Sequence, residues 1–89
     1  MAELIASGTT AANSADFTLT DGQSATLYLK TAGAAIAPAS IAIIQVKSGA
    51  SYFTIGQLTT GEPMQVLRAA GTFRVVRKPH TIAFGVDKD

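Results

Sequence analysis

The chain has no cysteine, no tryptophan and a single histidine, His80. Without cysteine there is no disulfide and no thiolate metal site. One histidine is too few for a histidine-rich zinc site. Charge is sparse and balanced: seven lysines and arginines against six acids leave a net +1. Nothing global therefore points to nucleic acid or to a membrane surface. No apolar run approaches the ~20 residues that a bilayer-spanning helix needs. The opening Met1-Ala2-Glu3-Leu4-Ile5 lacks the basic start and long apolar centre of a signal peptide. The expectation is a chain kept inside the cell until it is assembled or released.

Motifs for chemistry are missing as well. There is no P-loop, no dinucleotide fingerprint, no EF-hand spacing and no G-x-S-x-G elbow. The acids Glu3, Asp16, Asp21, Glu62, Asp87 and Asp89 fall mostly in turns or near the termini, where acids serve solubility and turn geometry. A serine–His80–Asp87 triad can be drawn on paper, but a histidine beside Pro79 reads as a surface turn residue. The expectation is no enzyme, no cofactor and no metal.

What is present is strand pattern. Short β-branched and aromatic runs alternate between turn residues, over about seven segments at spacings of about 8–12 residues. Residues 15–20 alternate Phe17 and Leu19 against Asp16, Thr18 and Thr20. Residues 24–30 set Ala25, Leu27 and Leu29 against Thr26, Tyr28 and Lys30. Asp21-Gly22 between them predicts a tight hairpin. Residues 41–47 are apolar on both faces, which suits a central strand or one covered by a partner. Gly56, inside the run 51–59, suggests a bulge. Residues 64–68 form a short run, and Ala69-Ala70-Gly71 turn it back. Residues 72–78 set Phe73, Val75 and Arg77 against Arg74, Val76 and Lys78, and Pro79 ends them. Residues 81–86 form the last run, with Ile82, Phe84 and Val86 on one face. The alanine-rich stretch 31–40, broken by Gly33 and Pro38, reads as an apolar loop.

The fold expected is all-β: a small antiparallel sandwich or barrel occupying residues 15–89 as one domain, preceded by a flexible arm, residues 1–14. The arm is either a frayed terminus or a segment that orders against a neighbour. Leu4 and Ile5 in it could anchor a short strand or a partner contact. Hydrophobic residues make up 47% of the chain, but 16 of them are alanines that bury little surface. A core of this size rarely supplies more than about 3–5 kcal/mol net. With disulfides and the metal sites above set aside, oligomerisation or docking on a larger body remains as the staple.

One charge feature stands out. Arg68, Arg74, Arg77, Lys78 and His80 fall within 13 positions that contain no acid. Lysine guards strand edges, but arginine favours bidentate pairing with carboxylate or phosphate. The cluster suggests an interface for an acidic protein surface. Nucleic acid fits less well, because only Phe73 is interleaved for stacking.

Four stretches carry a family resemblance: Ala11–Phe17, Ser51–Thr59, Gly71–Pro79 and Phe84–Asp87. They resemble small structural proteins of tailed bacteriophages, of the capsid decoration (cement) type. The resemblance implies a virion protein on the outer capsid surface, assembled in the host cytoplasm and often trimeric. Its partner would be the major capsid protein or another virion protein. A carbohydrate-binding or fibre-associated module of the virion is the other reading, with Tyr28 and Tyr52 as its exposed rings.

Overall fold

The computed structural model describes residues 2–30, 40–80 and 82–89. The described residues are all-β, with nine strands in two antiparallel sheets. The strands are β1 (Ala2–Gly8), β2 (Ala12–Asn13), β3 (Phe17–Leu19), β4 (Ala25–Lys30), β5 (Ile41–Ser48), β6 (Ser51–Thr59), β7 (Met64–Leu67), β8 (Gly71–Arg77) and β9 (Phe84–Lys88). One sheet runs β1-β9-β4-β7. The other runs β2-β8-β5-β6, and β3 also pairs with β8. Residues 31–39 of the expected alanine-rich loop, and Thr81 at the start of the last run, lie outside the described residues.

The alternation places most side chains as expected, but Ile82, expected on the face of Phe84 and Val86, lies before β9 and is exposed. Ala25, Leu27 and Leu29 of β4 are buried, and so are Phe73 and Val75 of β8. Together with Phe84, Val86, Ile44 and Leu58 they fill the space between the sheets. A smaller cluster of Leu19, Ala25 and Phe73 closes one end, where the Phe17 and Phe73 rings lie 5.9 Å apart. β5, apolar on both faces, is central, with β8 and β6 on either side. The bulge expected near Gly56 is present. Ile44 faces Gly56 and Gln45 faces Thr54, leaving Ile55 without a partner across the pair.

The connections differ from the expectation. Asp21-Gly22 does form a turn, closed by the Gln23 amide donating to the Thr20 carbonyl at 3.0 Å. It does not join a hairpin: β3 pairs with β8 in one sheet, while β4 pairs with β7 and β9 in the other. The turn carries the chain across the sandwich. The segment 68–70 likewise crosses from β7 to β8, which lie in different sheets. Alternation dictates which side chains point inward, but a run can satisfy it in either layer. Only β5 and β6 pair as sequence neighbours among the described strands, through a tight turn at Gly49-Ala50.

The N-terminal segment is also corrected. It is not a flexible arm outside the domain. β1 pairs antiparallel with β9, and Ile5 lies in the main core at 6% exposure. Leu4 is half-buried and packs against the same core. The pairing is bulged between Ile5 and Gly8, opposite Gly85. A Cβ on Gly85 would sit against the Ile5 carbonyl oxygen and the Ser7 amide, so no side chain fits there. The small residues 7–14 hide this strand from sequence pattern, because its inward contact is made by one isoleucine rather than an alternating run. The described strands thus number nine against about seven expected, the two added being β1 and the two-residue strand β2.

Replacing Ile5 by Ala tests the corrected role of β1. Its removal from a packed core is expected to cost about 2–4 kcal/mol, read as a fall in the urea midpoint at unchanged slope. A frayed arm would give no shift.

Candidate functional site

The six residues singled out in the sequence do not form one patch. Arg68 is exposed just past β7, and Lys78 is exposed just past β8. Leu4 and Ile5 belong to the core side of β1. Arg77 points into the sandwich and is 4% exposed. Only Arg74 lies on the outer face of β8, half-buried there.

Arg77 is therefore corrected from an interface residue to a structural one. Its Nε donates to the Thr10 carbonyl at 2.8 Å. Its Nη1 donates to the Ala6 carbonyl at 2.6 Å and the Phe84 carbonyl at 2.9 Å. No carboxylate pairs with it among the described residues. Main-chain carbonyl dipoles take the place of a counter-ion. The bulge in β1 turns the Ala6 carbonyl toward this position. A side chain at Gly8 would collide with the guanidinium, its Cβ falling 2.8 Å from Nη2. The signal in the sequence is the alternation that puts Arg77 on the inward face with Phe73 and Val75, against the general preference of arginine for the surface.

The outer face of the β2-β8-β5-β6 sheet holds a polar constellation. Gln45 of β5 stands across from Arg74 of β8, and Lys47 of β5 across from Tyr52 of β6. Arg74 Nε donates to Gln45 Oε1 at 2.8 Å. The Arg74 guanidinium carbon lies 3.6 Å above the Tyr52 ring centre, a stacked cation–π contact. The Tyr52 hydroxyl donates to Asp16, at 2.9 Å from Oδ1 and 2.8 Å from Oδ2. Lys47 Nζ is 3.8 Å from the same carboxylate. Arg74 is thus held at its Nε and on one face, while its terminal nitrogens make no hydrogen bond among the described residues. Asp16, in sequence an acid without a site, joins the constellation, and Tyr52, expected as an exposed ring for a sugar, is instead stacked under Arg74.

The opposite outer face is acidic and closed on itself. Lys30 Nζ bridges Glu3 at 2.5 Å and Asp87 at 2.8 Å. Their hydrogen bonds, that to Asp87 foremost, push the Lys30 ammonium above its ordinary value. Tyr28 beside them is raised by burial first and then by Asp89 and Asp87. The Tyr52 phenol is raised chiefly by its hydrogen bond to Asp16. His80, expected as a surface turn residue, is half-buried. Its Nδ1 accepts from the Ile82 amide at 3.0 Å, and its ring stands edge-on to Phe84 at 6.0 Å.

Among the described residues there is no pocket, and no three metal-ligating side chains converge. No helix there is long and apolar enough to cross a membrane. No family model, curated protein or solved structure matches the chain. What the described residues offer is a sheet face with an arginine held in place.

Two predictions follow from these contacts. Arg77→Ala leaves buried carbonyls of β1 and β9 without donors and is expected to cost about 3 kcal/mol or more in chemical denaturation. Arg74→Ala, on the outer face, is expected to cost under about 1 kcal/mol. The second concerns pH. Lys30, Tyr28 and Tyr52 all titrate higher in the folded chain than in the unfolded one. Their contribution is complete below the unfolded values near 10 and is lost as pH rises through the folded ones. Stability should fall above about pH 10, and Asp16→Asn should lower the Tyr52 transition seen in ultraviolet titration.

Proposed function

We propose that the protein is a non-enzymatic structural protein of a tailed-phage virion, of the capsid decoration type. It binds the outside of the assembled head and stabilises it. The observation that carries this reading is Arg74. Its guanidinium is immobilised by Gln45 and Tyr52 on a flat face, with its terminal nitrogens left for an outside acceptor. Holding a long side chain before docking reduces the entropy lost on binding. A planar donor pair on a flat surface suits a carboxylate presented by another protein. The partner in this reading is an acidic patch on the major capsid protein or another virion protein.

The family resemblance points the same way. The physical mechanism is mass action: a subunit that binds only the assembled shell stabilises that shell. Many copies acting together add avidity. The carbohydrate-binding alternative has less support. The Tyr52 ring is covered on one face by Arg74, and Tyr28 is half-buried, so neither ring is an open platform for a sugar.

Cosedimentation of the purified protein with heads of the phage that carries it tests this reading. Wild type should pellet with the heads. Arg74→Glu should weaken binding at least about ten-fold, since a charge-assisted hydrogen bond is worth about 1.5–3 kcal/mol. Arg74→Lys should recover part of it. No binding by wild type, or equal binding by Arg74→Glu, would overturn the proposal.

A further inference from the structure

The edges of the two sheets are not equally protected. β1 carries Glu3 and is bulged. β2 and β3 are short and separated by the bend that holds Asp16. β7 has four residues, flanked by Glu62 and Arg68. β6 is different. It is nine residues long and pairs only with β5, so its other side has no neighbour among the described strands. From Ser48 to Gly61 there is no charged side chain. Natural edge strands are usually short, charged or covered. The one protective device on β6 is the bulge at Ile55, and the residue it adds is an isoleucine at 51% exposure. Phe53, two positions away, is 56% exposed. Met64 and Val66, also exposed, lie on β7, which approaches β6 from the opposing sheet.

We infer that the β6 edge pairs antiparallel with β6 of a second copy, joining the two five-stranded sheets across a two-fold axis. The lack of charge selects this occupant. Two identical uncharged edges bring no like charges together, whereas a charged partner would find nothing on β6 to pair with. The size is adequate. Nine extended residues span about 30 Å, and two layers, each about 10 Å thick with its side chains, make a side about 20 Å deep, on the order of 600 Å² per copy. That reaches the lower end of stable interfaces, about 1,200 Å² in total. Such a contact is isologous and closes at two subunits.

The pairing also deepens the docking reading. A two-fold axis normal to the joined sheet puts both Arg74 faces on the same side, so one dimer presents two anchors to the head. The dimer itself does not depend on that reading.

Sedimentation equilibrium of the free protein, with no particle present, tests the inference. Wild type should have twice the 9.1 kDa mass of the chain. Ile55→Lys should raise the dimer dissociation constant at least ten-fold while leaving the circular dichroism spectrum unchanged. Phe53→Lys repeats the test at a second exposed position in case the first variant melts early. Arg74→Glu should leave dimerisation within two-fold of wild type. A wild-type monomer at the highest soluble concentration, a trimer, or lysine variants that assemble like wild type would overturn the inference. A monomer that still binds heads would overturn the dimer alone. A dimer that binds no head would overturn only the docking.

Discussion

The two sheets of this sandwich are tied together at one end by a buried positive charge. Arg77 leaves β8 inward and reaches the main chain of β1, of β9 and of the segment between β1 and β2. Much of the local geometry is arranged around it. The β1 bulge turns a carbonyl to it, Gly8 makes room for it, and Gly85 lets the bulged strand lie close against β9. A buried ion is costly unless its donors are satisfied. Here carbonyls accept from Nε and Nη1, which makes the position of the N-terminal strand part of the folded state rather than an appendage to it.

That internal use of one arginine clarifies the other. Arg74 and Arg77 are three residues apart on one strand and therefore point to opposite faces. One is enclosed by carbonyls, and the other is laid flat over Tyr52 with its terminal nitrogens outward. The outer constellation is built across three strands and the bend at Asp16, so its parts come from distant points of the chain. Asp16 holds the hydroxyl of Tyr52, and Tyr52 and Gln45 hold Arg74. The apolar edge of the same sheet supplies a second kind of contact, based on free main-chain groups and not on charge.

Legibility in the sequence followed the range of the forces involved. Leu27, Leu29, Val75 and Phe84 were readable as core because a strand alternates at a period of two, a local property. Gly56 was readable as a bulge for a similar reason. The Asp21-Gly22 hairpin was misread because a turn signal reports that the chain reverses, not which layer receives it. Ile5 was misread because β1 buries little beyond that side chain. The pairing of Tyr52 with Asp16 leaves no trace in the sequence because neither carries a motif and 36 positions separate them.

The sequence by itself determined the class of fold and the facing of most side chains. It also determined the absence of disulfides, which follows from composition alone. Tertiary structure decided which strands pair, that the N-terminal segment is a core strand, and which of the clustered arginines reaches solvent. The physical reason is that alternation and turn chemistry act over a few residues, while strand pairing and the satisfaction of a buried guanidinium are settled between segments far apart in the chain.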